Sequence, residues 1–210
     1  MEQTNNQFNQ HLVIEGLTRY INTASFSRIQ TLLDAVPNLR YEVIDERFYI
    51  MPSPSPRHQN AFTNIGTQLA AQVSNYNCKT FQTLDIRLFP NQPHDYVCPD
   101  IMVICNRDML RHYLEDDTKP LEGVPGFVIE ILSPSNAQHD LITKRDLYLR
   151  AQVPEYWVID ILSALPVLHR FILDAGPVSG VYRETILEAK GVIPIEIIPG
   201  CAIDFDKAFQ

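Results

Sequence analysis

Glu130 interrupts the apolar run Gly126-Phe127-Val128-Ile129-Glu130-Ile131-Leu132. A run of this length and β-branched content reads as a strand buried on both faces. A carboxylate there is unfavourable unless it is paired or coordinated. Asp100 leads a second such run, Ile101-Met102-Val103-Ile104, just after Cys98-Pro99. Lys144 falls three residues after Leu141 and four before Tyr148, on the apolar side of a helical stripe that continues through Leu147 and Ala151. Asp140, one turn earlier, shares that side. Two carboxylates and an ammonium converging at a sheet edge suit metal-dependent hydrolysis of a phosphodiester. The acids Asp100 and Glu130 take a hard divalent cation, Mg2+ or Mn2+, through oxygen. The ion activates water and neutralises the developing charge. The lysine orients the water, helps to deprotonate it, or stabilises the transition state.

The elements that must position these residues are legible in outline. Phe26, Ile29, Leu32, Leu33 and Val36 give Ser25 to Val36 helical spacing, ended by Pro37-Asn38. Tyr41 to Met51 reads as a hairpin turning at Asp45-Glu46, followed by a stiff Pro52-to-Pro56 loop. Ser55 and Pro56 are an N-cap and first-turn pair for a second helix, with an inner stripe of Ala61, Ile65, Leu69, Val73 and Tyr76. A strand is expected over Thr80 to Leu88, then the Asp100 strand, a polar loop with a short helix over Arg107 to Val124, and the Glu130 strand. Ser133-Pro134-Ser135-Asn136 caps the helix that carries Lys144, which runs to about Ala151. Strands follow at Tyr156 to Ile161, Val167 to Leu173, Val181 to Leu187 and near Ile195. The expected fold is α/β or α+β: a central mixed sheet flanked by helices, with extra strands in the C-terminal half. Residues 1–40 read as an N-terminal helical extension and 41–210 as one domain.

Within this outline Pro99-Asp100, followed by Glu130 on the next core strand, resembles the PD-(D/E)XK nuclease superfamily. More closely, the chain resembles a bacterial family of restriction-endonuclease-like proteins. The matching pieces are Tyr41-Glu42-Val43-Ile44-Asp45, Met51-Pro52-Ser53-Pro54-Ser55-Pro56-Arg57-His58, Pro99-Asp100-Ile101, Val128 to Ser135, Asp140 to Lys144, and Val153-Pro154-Glu155-Tyr156-Trp157-Val158-Ile159-Asp160. The resemblance implies a restriction-endonuclease-like fold, DNA as substrate, and Asp100, Glu130 and Lys144 as the catalytic set. The superfamily places its lysine two positions after the glutamate, where this chain has Leu132; in the close family the lysine sits on the following helix, as Lys144 does. The family also favours glycine after Asp45, where this chain has Glu46.

Two further residues are second-tier candidates. Glu42 reads as a solvent-facing residue of the hairpin or, by the resemblance, as a third acid supporting the metal. His58 reads as an exposed first-turn residue or as a phosphate contact or water-positioning group. Lys79, Arg87, Arg107, Arg111, Arg145 and Arg150 read as scattered surface charge or as a DNA groove. Tyr148 and Trp157 read chiefly as core, with a dimer interface as the alternative for Trp157.

Bulk composition bounds these readings. A net charge of −8 and a pI of about 5.2 argue against a broad basic surface for nonspecific nucleic-acid binding. The four cysteines, Cys78, Cys98, Cys105 and Cys201, have no CxxC spacing and read as buried, reduced thiols. The N-terminus has no signal-peptide pattern, and no apolar stretch reaches the roughly 18–20 residues needed to span a bilayer. A cytoplasmic protein is therefore expected, as is a homodimer if both strands of a duplex are cut. Two other readings stay open at this point. One is a nucleic-acid- or protein-binding module with a remnant site. The other is a metal-independent hydrolase using Asp100 and Glu130 as a carboxylate pair.

Overall fold

The computed structural model describes residues 23–115, 120–134, 137–174 and 180–210; most of the expected N-terminal extension, residues 1–22, lies outside them. Helix α1 (Thr23–Asp34) lays Phe26, Ile29 and Leu33 against Tyr41, Val43 and Phe48. Leu32 and Val36, which share the same helical spacing, are exposed instead. The hairpin β1 (Arg40–Ile44) and β2 (Arg47–Met51) pairs Ile44 with Arg47 across a two-residue turn. Both turn residues adopt left-handed backbone, Asp45 at φ 50° and Glu46 at φ 61°. That geometry suits the twist of a hairpin but is unfavourable for a residue with a Cβ. The Asp95 carboxylate compensates by accepting the N–H groups of both residues. Replacing Glu46 with glycine, the residue this turn normally prefers, is expected to stabilise the protein by about 0.5–1 kcal/mol. A thermal melt should shift upward by a few degrees, and a downward shift would contradict this account of the turn.

Helix α2 (Pro56–Val73) starts as its sequence signals, with the Ser55 hydroxyl accepting the His58 N–H. It buries Ala61, Ile65, Leu69 and Val73, whereas Tyr76, in the turn that follows, is 44% exposed. The strand expected over Thr80 to Leu88 is two strands. β3 (Lys79–Gln82) joins the main sheet and β4 (Ile86–Arg87) pairs elsewhere, and the chain breaks where Thr83 takes φ 50°. β5 (Ile101–Ile104), α3 (Arg107–Glu115), β6 (Leu121–Glu122) and β7 (Phe127–Ile131) come next. A π-helical turn over His139–Lys144 leads into α4 (Arg145–Arg150). The chain closes with β8 (Glu155–Asp160), β9 (Val167–Leu173), β10 (Tyr182–Glu188), β11 (Val192–Pro194), β12 (Ala202–Asp204) and α5 (Phe205–Ala208).

The central sheet has six strands in the order β10-β9-β8-β7-β5-β3. Only β7 and β8 run parallel; the other neighbours are antiparallel. A parallel pair needs a crossover, and the segment carrying Lys144 provides it. On one face of the sheet Ile101, Val103, Phe127, Ile129, Ile131 and Trp157 pack with α2 and the C-terminal elements. On the other, Met102, Ile104, Val128, Tyr156 and Val158 pack with Leu147 and Tyr148 of α4. Trp157 is fully buried and belongs to the core of this chain.

The cysteine expectation fails for one pair. Lys79 pairs with Ile104, so the next step of the ladder sets Cys78 opposite Cys105, and the two form a disulfide with Cα atoms 4.2 Å apart. Their separation of 27 residues carries no signal that β3 and β5 are neighbours. Cys98 and Cys201 are free and buried, as expected.

Candidate active site

Strand alternation aims the acids. Side chains two apart share a face, so Glu130 projects with Val128, and Asp100 with Met102, toward α4. Ile101 pairs with Ile129, and one further step of that ladder sets Asp100 opposite Glu130. Like charges in that position repel, and the surrounding groups compensate in detail. The Asp100 N–H donates to Glu130 Oε2 at 3.2 Å, and the Ile131 N–H donates to Asp100 Oδ2 at 2.8 Å. Each carboxylate is thus held by the main chain beside the other.

Lys144 reaches this pair from the crossover helix. Its Nζ lies 2.9 Å from Glu130 Oε1, 2.9 Å from Glu42 Oε1 and 3.6 Å from Asp140 Oδ1. The lysine is almost fully buried, as are all three acids. The π-helical turn, wider than an α-helical one, brings Asp140 and Lys144 together at the sheet. Tyr148 is in the core as expected, and its hydroxyl also donates to Glu130 Oε1 at 3.0 Å.

Glu42 is not the solvent-facing strand residue that alternation suggests. It is 1% exposed and accepts from the Cys98 N–H and from Lys144, with His139 Nε2 3.1 Å from its other oxygen. The hairpin is covered on one face by α1 and on the other by the site, so both faces of β1 are buried. His58 is likewise buried, and its Nε2 lies 3.2 Å from Asp100 Oδ2. Its Nδ1 and both carboxylate oxygens of Asp140 make no hydrogen bond among the described residues.

The electrostatics follow from burial and from who faces Lys144. Burial alone would raise the Glu42 carboxyl, but Lys144 and His139 outweigh it and bring the pKa down to about 2. Glu130 is pushed up to about 7 by burial, with Asp100 and Glu42 adding to the rise against the pull of Lys144. Burial also raises Asp140 well above the usual range, against the pull of Lys144. Lys144 itself is raised by Glu130, Glu42 and Asp140 in spite of its burial. It is therefore a firm cation and a hydrogen-bond donor. Burial works against protonation of His58, but its contact with Asp100 prevails and raises it.

All five residues singled out from the sequence meet in one place. Tyr148, Asp140 and His139 join them. Asp140 was visible from helical spacing, whereas His139 had no signal of its own. Of the six cations considered for a DNA groove, four sit in ion pairs. Arg87 pairs with Glu122, Arg111 with Asp108, Arg145 with Asp146 and Arg150 with Asp45.

This geometry belongs with a match to a family model, described as "Uma2: Putative restriction endonuclease", over residues 26–205. The chain belongs to the Uma2 family. A solved structure from Anabaena variabilis, described as "a putative nuclease belonging to DUF820", has the same fold. It superposes with a TM-score of 0.61 at 16% identity, covering 94% of this chain and 97% of that one. No curated protein matches the chain. The Uma2 assignment and the mixed six-stranded sheet bear out the expected family and fold class. No helix among the described residues is long and apolar enough to cross a membrane.

The donor set can be tested for a metal. Among the described residues no group of three His, Cys, Asp or Glu side chains is arranged to hold an ion unaided. Magnesium does not require one, because it is usually held by one or two carboxylates, with waters and substrate phosphate completing its shell. The adjacent oxygen donors Asp100 and Glu130 fit that mode. Asp100 also keeps contact with the open side of the site, at 13% side-chain exposure.

Proposed function

We propose that this Uma2-family chain is a metal-dependent nuclease that hydrolyses DNA phosphodiester bonds. The observation that carries the reading is the buried Lys144 ammonium 2.9 Å from Glu130, whose other oxygen is bonded to the main chain of Asp100. Asp100 and Glu130 would hold Mg2+ or Mn2+, which supplies charge neutralisation and an activated water. Lys144, held protonated, donates toward the attacked phosphate and water and does not act as the base. Glu42 fixes the lysine from the far side. His58 steadies Asp100 through Nε2. The reading places the protein in the cytoplasm, and cutting both strands of a duplex would call for two copies of the chain.

The test is cleavage of supercoiled plasmid and of heat-denatured DNA with magnesium, manganese or chelator. Metal-dependent cutting is expected, and Asp100→Ala should lower its rate on the order of a thousandfold, since a bound ion contributes several kcal/mol to such a transition state. Chelator-resistant cutting, or full activity in the variant, would remove the reading. One observation favours a non-catalytic module instead: a net charge of −8 argues against a broad basic surface for nucleic acid. Calorimetric titration with manganese decides between the two, because a remnant site binds no ion.

A further inference from the structure

The pocket beside these acids bears on the class of substrate, a question that deepens the nuclease reading and rests on it. A concave space of about 270 Å³ opens at Asp100 and Lys144, bounded by β2, by Pro52 and Pro54 of the adjoining loop, and by the start of α2. That is near the lower end of the size range for small-ligand sites. Two kinds of residue in its lining matter for recognition. Tyr49 and His139 pack ring to ring, with centroids 4.4 Å apart and planes 31° from parallel, and Phe62 of α2 lines the same space. The one arginine of the lining, Arg40, is exposed and donates from one guanidinium nitrogen to Cys98 Sγ at 3.0 Å, which leaves its other N–H groups for a ligand.

Duplex binding depends on neutralising many phosphates along a basic track. This chain carries net charge −8, and Arg87, Arg111, Arg145 and Arg150 each already face an acid. Lys144 is buried among Glu42, Glu130 and Asp140 and is part of no surface track. Unpaired strands add to backbone charge a second contribution, the stacking of bases on aromatic side chains. The Tyr49–His139 pair, lining a small pocket beside the acids, supplies that second contribution.

We infer that the site takes an unpaired nucleotide, its base stacked on the Tyr49–His139 pair and its phosphate between Arg40 and the acids, so that the substrate is single-stranded or splayed nucleic acid. The base enters the pocket only when free of its partner, and this is what excludes an intact duplex. The stacking chemistry is common to DNA and RNA.

The inference is tested on the full chain by fluorescence anisotropy in calcium, with labelled oligo(dT), oligo(U) and duplex DNA of about 12 units, within the span that single-strand sites occupy. Either single strand should bind at least about tenfold tighter than the duplex, and the tighter of the two identifies the sugar. Tyr49→Leu, which keeps apolar bulk but removes the aromatic face, should lose roughly tenfold on the single strand, while Tyr49→Phe retains the affinity. Duplex bound as well as single strand, no effect of Tyr49→Leu, or no binding of any probe would each overturn the inference. Cleavage in manganese is read separately. Tyr49-dependent single-strand binding without any cutting keeps the inference and removes the nuclease reading. Metal-dependent cutting of duplex without Tyr49 dependence does the reverse.

Discussion

Lys144→Met is expected to lower the unfolding free energy by about 3–5 kcal/mol as well as abolish cleavage. The lysine is the cation shared by Glu42, Glu130 and Asp140, all nearly or fully buried. Removing it leaves carboxylates in the core without a counter-charge, which is the severe form of breaking a buried ion pair. Urea denaturation and plasmid cleavage on the same preparation measure both effects. An unchanged midpoint would mean that the acids take up protons at little cost and that the lysine does not hold the site together. Adding Glu42→Gln to the variant should restore part of the lost stability, since it removes one of the stranded charges; the two side chains are in contact and their effects should not add. Lost activity in a Lys144 variant is therefore ambiguous by itself, and Asp100→Ala is the cleaner probe of chemistry.

Stability should be greatest near pH 4.5–5 and fall on both sides, because two neighbouring acids are shifted in opposite directions. Glu42 is lowered from 4.5 to about 2. Its contribution is present above the unfolded value and disappears as pH falls through 2. Glu130 is raised from 4.5 to about 7. Its contribution is complete below 4.5 and is lost as pH rises through 7. Each shift corresponds to on the order of 3 kcal/mol. Asp140, also raised, acts in the same direction as Glu130. Urea midpoints for the metal-free protein at about pH 3, 5 and 8 would trace both limbs. Glu130→Gln should flatten the alkaline limb and leave the acid limb in place. A wild-type midpoint that climbs between pH 5 and 8 would show that Glu130 is ionised throughout. Manganese, if Asp100 and Glu130 hold it, should oppose the alkaline loss by favouring ionised Glu130, a readout independent of cutting.

The residues easiest to find in the sequence were those whose chemistry conflicts with their surroundings. Asp100 and Glu130 stand out because their neighbours are apolar, and Lys144 because its helical spacing turns it inward. Glu42 reads toward solvent because a hairpin of two strands ordinarily leaves one face wet. Its burial comes from α1 on one side and His139, Lys144 and Cys98 on the other, contacts between segments far apart in sequence. His58 is hidden in the same way, since a first-turn histidine looks exposed until Asp100 is set beside it. The break at Thr83 has no glycine to announce it. β12 and α5 are too short to register a period, and the Cys78–Cys105 bridge follows from a strand order that spacing cannot supply.

The turn over His139–Lys144 gives the site a constraint of length. Each α-helical residue advances about 100° around its axis, and a π-helical turn holds one residue more than an α-helical one. Deleting a single residue there would let the segment relax to ordinary helix and carry the Lys144 ammonium round to another side, away from the acids of β1 and β7. The crossover from β7 to β8 can therefore vary in composition along its outer surface far more freely than in residue count. An insertion or deletion would silence the site and also strand Glu42, Glu130 and Asp140 without their cation.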